Sequence, residues 1–261
     1  MKSIELFAGI GGIALAAEWA GVETVAFCEQ NEFCQQVIAK NFQNPPIYED
    51  VYDLTKDRLI TDGVIKENGT VDIISGGYPC QPFSLAGKQQ GKADERYLWG
   101  EFFRLVKELR PTWVVGENVY GHVNNGMPTV ISDLESEGYE VRAVVLQAAD
   151  IGAPHKRERV FVVACNAERK SILQKDQTVS AFGSQWQAWQ SLTWKHWRTF
   201  SDLHWSVPKP GICGMDDGFS RGMDKDRLIA LGNAVVPQQI YPIFKAIVDM
   251  SNQRNGGTVW T

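Results

Sequence analysis

An α/β fold with a doubly wound, mostly parallel sheet and a small second domain is predicted by three features of the 261-residue sequence. Short apolar runs alternate with segments of helical periodicity through residue 165. A glycine turn, GIGG, sits at the first junction between such a run and such a segment. From about 166 to 225 the periodic apolar segments thin out and Ser, Gln, Lys, Asp and Gly rise, which marks off a smaller region.

Each element follows from local pattern. SIELFA reads as a first strand, GIGG as the turn, and IALAAEWAGV as a helix. ETVAFC is a second strand ending at Glu29, and a helix over roughly 31 to 42 leads to the turn residues Asn44, Pro45 and Pro46. VDIIS is another buried strand. Leu98, Phe102, Leu105, Val106 and Leu109 recur at helical spacing, and TWVVGENV, YEVRAVVL and RVFVVAC are three further strands. After 166–225, which holds five tryptophans between 186 and 205, VVPQQIYPIFKAIVDM spaces Val236, Ile240, Phe244 and Ile247 to pack a helix back on the main domain. The expected organisation is a main domain from 1–165 and 226–252, a small domain at 166–225 and a loose tail at 253–261.

Composition narrows the setting. The chain is 44% hydrophobic and 22% charged, enough for one sizeable core. No apolar stretch approaches the roughly 18 to 20 residues that cross a bilayer. Five cysteines without a CxxC pair, and an N-terminus lacking a signal-peptide pattern, place the chain in a reducing cytoplasm. The net charge of −5, taken as a sum, weighs against a nucleic-acid partner.

Three local patterns carry chemistry. Gly9, Gly11 and Gly12 follow a strand and open a helix, where a ligand can approach backbone amides; Glu29, twenty residues past Gly9, suits ribose hydroxyls. This spelling does not separate NAD, FAD and S-adenosylmethionine, and a turn that merely permits close packing would look similar. Asp50, after the next strand, offers an acceptor for an adenine amino group. Cys80 stands in GGYPCQPFS, where Pro79 and Pro82 stiffen the loop at the carboxyl end of VDIIS, as a nucleophile that must be aimed requires. Cys28, Cys34, Cys165 and Cys213 read instead as small buried hydrophobes. Glu117 in GENV ends an apolar strand at the same sheet edge, placed to act as an acid or hydrogen-bond donor, although a helix-capping glutamate fits the pattern too. Arg157 and Arg159 in HKRERVFVVA alternate on entry to a strand, so both are expected on one face, where they would hold an anion or a carbonyl oxygen.

In this order, ELFAGIGG, GGYPCQPFS, GENV, HKRERVFVVA and LGNAVVPQ resemble the DNA (cytosine-5)-methyltransferase family of phage and bacterial type. The resemblance implies a Rossmann-like fold that uses S-adenosyl-L-methionine and acts on cytosine in double-stranded DNA. It assigns Cys80 to attack on carbon 6, Glu117 to the N3 and amino edge, Arg159 to the ring carbonyl and Arg157 to support of that group. The cofactor is expected over Phe7, Gly9, Gly11 and Gly12, with Glu29 at the ribose, Asp50 at the adenine, and Asn233 closing the site. The loop 84–96 is expected to close over a flipped base. Against the family pattern, His155 replaces a glutamine, and the short 166–225 region implies a short or degenerate target. A local basic face of Lys88, Lys92, Arg96, Lys156, Arg157 and Arg159 answers the negative total. The segment WQAWQSLTWKHWRTF reads mainly as subdomain core, with Lys195, His196 and Arg198 toward DNA. The same chemistry on RNA stays open; an NAD or FAD oxidoreductase would leave three of the motifs without roles.

Overall fold

The computed structural model describes residues 1–79, 98–153, 156–168, 226 and 229–254. Cys80, the loop 84–96, His155, Cys213, the tryptophan segment with nearly all of the 166–225 region, and the end of the tail lie outside the described residues.

The chain starts with β1 (Lys2–Leu6), whose residues Ser3 to Leu6 are all buried. Burial on both faces is what a central parallel strand requires. A turn then leads into α1 (Gly12–Trp19), whose alanines at 14, 16 and 17 pack closely on the sheet. β2 (Glu23–Cys28) follows, then α2 (Glu32–Asn41), which starts where the Asn31 side chain accepts the Cys34 amide at 3.0 Å. β3 (Ile47–Tyr48) is two residues long and closes one edge. α3 (Lys56–Thr61), capped by Thr55, precedes β4 (Ile73–Gly77). α4 (Trp99–Leu109) buries Trp99, Phe102, Leu105, Val106 and Leu109, the stripe expected from their spacing. β5 (Trp113–Val119) is buried except at its last residue. Two helices, α5 (His122–Asn125) and α6 (Met127–Ser136), lead to β6 (Tyr139–Gln147), a 3-10 turn (Ala148–Ile151) and β7 (Glu158–Asn166).

The seven strands lie in the order β3-β2-β1-β4-β5-β7-β6. Pairs among β1 to β5 are parallel, whereas β7 runs antiparallel to both β5 and β6. The sheet is therefore mostly parallel, with one antiparallel hairpin at an edge, and β7 rather than β6 meets β5. The order reverses between β1 and β4. Open α/β sheets hold ligands in the crevice beyond the carboxyl ends of strands at such a point.

The final helix, α7 (Pro237–Arg254), returns to the core as expected: Ile240, Ile243, Phe244 and Ile247 are fully buried against the α1 side of the sheet. Burial of each such side chain contributes about 1.5–3 kcal/mol. Pro242 sits within this helix and removes one amide donor from its first turns.

Candidate active site

Beyond the carboxyl ends of β1, β2, β4 and β5 lies a cavity of about 670 Å³. The structure brings Phe7, Gly9, Glu29, Asp50, Glu117, Arg159 and Asn233 to its wall, residues contributed by segments far apart in sequence. Pro79, the residue before Cys80, also lines it, so the chain enters the proline-flanked loop at the rim of the same cavity.

The turn after β1 is built on three left-handed residues, Phe7 at φ 53°, Gly9 at φ 55° and Gly11 at φ 82°. The Gly9 amide donates to Glu29 Oε2 at 2.7 Å, and the Asn31 amide donates to Glu29 Oε1 at 2.8 Å. A Cβ on Gly9 would enter open space. Gly11 and Gly12 do not line the cavity. Gly11 lies against the Phe42 ring, and a Cβ on Gly12 would drive into the Val235 carbonyl oxygen. These two glycines serve close packing, and Gly12 lets the segment before α7 descend onto the turn. Gly12→Ala is expected to destabilise the fold by about 1–3 kcal/mol, as overpacking does, and to weaken ligand binding because Val235 lines the cavity. Thermal melting together with calorimetric titration checks this; an unchanged variant would show that the close approach is unimportant.

Asp50 is exposed at the cavity wall, and its Oδ1 accepts the Tyr52 amide at 2.9 Å. The loop that follows is held by Arg104 of α4, whose Nη2 donates to the Val51 and Leu54 carbonyls at 2.8 and 2.9 Å. Glu101 and Glu108 fix the same guanidinium at 2.6 and 2.7 Å.

Glu117, at 8% exposure, pairs with Arg159 across the β5–β7 ladder, Nε to Oε1 at 2.8 Å. Burial raises the Glu117 carboxyl above the ordinary range, and the charges of Arg159 and Arg157 offset only part of the rise. A proton is thus easier to keep there than on an exposed glutamate. A Cβ on Gly77 would stand 3.0 Å from Glu117 Oε2, so glycine at the end of β4 makes room for the carboxyl. The neighbouring Asn118 donates to the Tyr78 carbonyl at 2.9 Å and accepts the Val119 amide at 2.9 Å. It ties the end of β5 to the backbone two residues before Cys80.

The two arginines make different bonds, although the charge of each acts on Glu117. Arg157 precedes β7 with a left-handed backbone, φ 39°, so strand alternation does not govern its side chain. Its Nη2 donates to the Gly232 carbonyl at 3.1 Å and to the Ala234 carbonyl. Arg159, inside the strand, alone reaches Glu117 through a direct ion pair.

The structure adds a residue that pattern reading missed. Glu5, 1% exposed in the middle of β1, accepts the Ala14 amide on Oε2 at 2.7 Å, while Oε1 has no partner among the described residues. Burial pushes its carboxyl up to about 8, aided by the negative charge of Glu29. A glutamate inside an otherwise apolar strand is the signal that could have found it. An unfolded glutamate titrates near 4.3. Between that value and about 8 the folded chain holds a proton the unfolded chain has released, so stability falls as pH rises through this window and levels off above it. Glu5→Gln mimics the protonated form and is expected to flatten the slope, gaining on the wild type by a few kcal/mol, as an order of magnitude, between pH 5 and 9. Melting curves across pH measure it; a gap that stays constant with pH would refute the assignment.

Cys28, Cys34 and Cys165 are buried, and burial pushes the first two thiols up to about 12 and about 11, so neither supplies thiolate at neutral pH. No helix among the described residues is long and apolar enough to cross a membrane.

Residues 1–187 match the family model for C-5 cytosine-specific DNA methylase. The chain is 36% identical to the type II methyltransferase M.HhaI of Haemophilus parahaemolyticus over 168 residues, 62% of this chain and 48% of that protein. It is 34% identical to the type II methyltransferase M.PspPI of Psychrobacter sp. over 171 residues, 63% of this chain and 39% of that protein. The chain thus spans less than half the length of either relative. Among solved structures, the Dnmt2 methyltransferase of S. pombe superposes with a TM-score of 0.65 at 15% identity, covering 97% of this chain and 99% of that one. That likeness bears on the fold.

Proposed function

Because the chain belongs to the C-5 cytosine-specific DNA methylase family, we propose that it methylates carbon 5 of a cytosine flipped out of double-stranded DNA, with S-adenosyl-L-methionine as donor and a covalent bond to Cys80. The observation that carries this reading is the Glu117–Arg159 pair, 2.8 Å apart at the wall of the cavity that Gly9 and Glu29 also line. The residues fit the cofactor. Gly9 leaves open space at the turn, each Glu29 oxygen keeps a lone pair for a ribose hydroxyl beyond the one its amide uses, and Asp50 offers a carboxylate at the far wall.

Carbon 5 of cytosine is a weak nucleophile. The Cys80 thiolate forms a bond to carbon 6, and the displaced π electrons make carbon 5 electron-rich. Glu117 donates to N3 as negative charge develops there, and Arg159 holds the carbonyl oxygen at position 2. The bound cofactor supplies a methyl group on a sulfonium, whose sulfur leaves with the bonding pair as a neutral thioether. Loss of the carbon 5 proton to solvent then expels Cys80 as thiolate, and return of the N3 proton to Glu117 restores both the neutral ring and the acid. Flipping the base costs a few kcal/mol, offset by these pocket contacts. The region 166–225 is assigned to target recognition, and the loop 84–96 to closure over the base.

Transfer of labelled methyl from S-adenosyl-L-methionine to mixed-sequence duplex DNA, with base-resolution mapping of 5-methylcytosine, tests the proposal. Methyl groups on cytosine in a recurring context are expected. No transfer to duplex DNA by protein that binds the cofactor, or transfer to RNA alone, would overturn it.

A further inference from the structure

The segment that lines the cavity before α7, together with α7 itself, is joined to β6 and the residue before β7 by hydrogen bonds running in opposite senses. From the strand side, the Arg157 guanidinium donates to the carbonyls of Gly232 and Ala234. From the helix side, Gln239 of α7, 0% exposed, donates through Nε2 to the Leu146 carbonyl at 2.6 Å and to the Arg157 carbonyl at 3.1 Å. The carbonyl that Gln239 holds belongs to a residue whose backbone is left-handed without being glycine, φ 39° at Arg157. Such a conformation is unfavourable for a side-chain-bearing residue and persists only when its surroundings over-determine it. A buried amide that satisfies two carbonyls at once is a constraint of that kind.

We propose that Gln239 is a positioning residue: by gripping Arg157 and Leu146 through their carbonyls it fixes the left-handed turn that sends the Arg157 side chain to the closing segment. Two things depend on this turn. The Arg157 guanidinium is committed to the Gly232 and Ala234 carbonyls, while Arg159 makes the direct ion pair with Glu117. The segment carrying Asn233 and Val235 is held against the cavity. Without the grip, the turn can relax to a right-handed backbone, the guanidinium swings off its carbonyls, and both the cavity wall and the Glu117–Arg159 pair lose their fixed geometry. The consequence for turnover rests on the methyl-transfer reading above; the consequence for cofactor affinity needs only the cavity.

The test uses Gln239→Met and Arg157→Met, singly and together, in the full chain. Methionine keeps the length of each side chain's inner portion and removes its donors. The thermal midpoint is measured first, and two quantities are then read well below it: calorimetric affinity for S-adenosyl-L-methionine, and kcat against KM for methyl transfer to duplex DNA. Each single variant is expected to weaken cofactor affinity about fivefold or more and to lower kcat about tenfold, as misplacement of a binding wall does. The double variant is expected to be no worse than the poorer single one, because the two residues act on one turn. Multiplying effects in the double variant would overturn the inference. So would cofactor affinity and kcat within twofold of wild type in a folded Gln239→Met protein, or losses that only follow the folded fraction. If the wild type binds the cofactor but transfers no methyl to DNA, the proposed reaction fails, and the coupling is then judged on affinity alone.

Discussion

Glutamine in place of Glu117 is expected to lower methyl transfer by about 10²–10⁴-fold, with cofactor affinity nearly unchanged. The carboxyl is buried, paired with Arg159 and raised in pKa, so it can both hold a proton for N3 and absorb charge as that proton shifts. An amide of the same shape donates a hydrogen bond but cannot give up a proton under these conditions. The substitution also leaves the Arg159 guanidinium, 16% exposed at its side chain, without its counter-charge. A stability loss of a few kcal/mol is expected from that source, as an order of magnitude. Rapid single-turnover kinetics at saturating DNA separates the two effects. A rate within tenfold of wild type would remove Glu117 from the chemistry. Because the working form is the protonated acid, kcat should also fall as pH rises through the raised carboxyl pKa, whereas the Cys80 thiolate requirement sets the opposite limb at lower pH.

Serine at position 80 is expected to have the larger effect, a loss of about four orders of magnitude or more, on the scale seen when an enzyme nucleophile is removed. A thiol with a pKa near 8.5 supplies a few per cent of anion at neutral pH, whereas a hydroxyl supplies effectively none, and the Cys80 loop has to provide an attacking anion. Duplex binding and cofactor binding should persist. The direct readout is a protein–DNA complex that survives denaturation when the target cytosine carries fluorine at carbon 5, where there is no proton to lose. The wild type should form it and Cys80→Ser should not. A serine variant with near-normal turnover would end the covalent mechanism.

How far the fold and site could be read in advance depended on whether the determining interactions were local. β1, its turn and α1 were legible because apolar period and glycines act over a dozen residues, and the stripe on α4 lay as its spacing required. Glu117 and Arg159 were legible because each sits on a strand whose direction fixes which edge its end reaches. The placement of β7 between β5 and β6 was not, since strand order is settled by long-range pairing. The bonds of Arg157 were not legible either, since alternation applies only inside a strand, this residue stands one position before it, and its partners lie 75 and 77 residues away. Gln239 and Arg104 were invisible for the same kind of reason, as their bonds reach backbone carbonyls 82 to 93 and 50 to 53 residues away. Glycines 11 and 12 fitted a ligand fingerprint, yet their neighbours in space are Phe42 and Val235.

The cavity wall is assembled from segments far apart in sequence, with Phe7 and Gly9 sharing it with Asn233 and Val235. A ribosome exposes the first pair long before the second, so a nascent chain carries the glycine turn and Glu29 without the segment that encloses them. On the proposed reading, cofactor capture is expected to await the segment with Asn233 and Val235, since a chain stopped before it has only the glycine-turn side of the cavity.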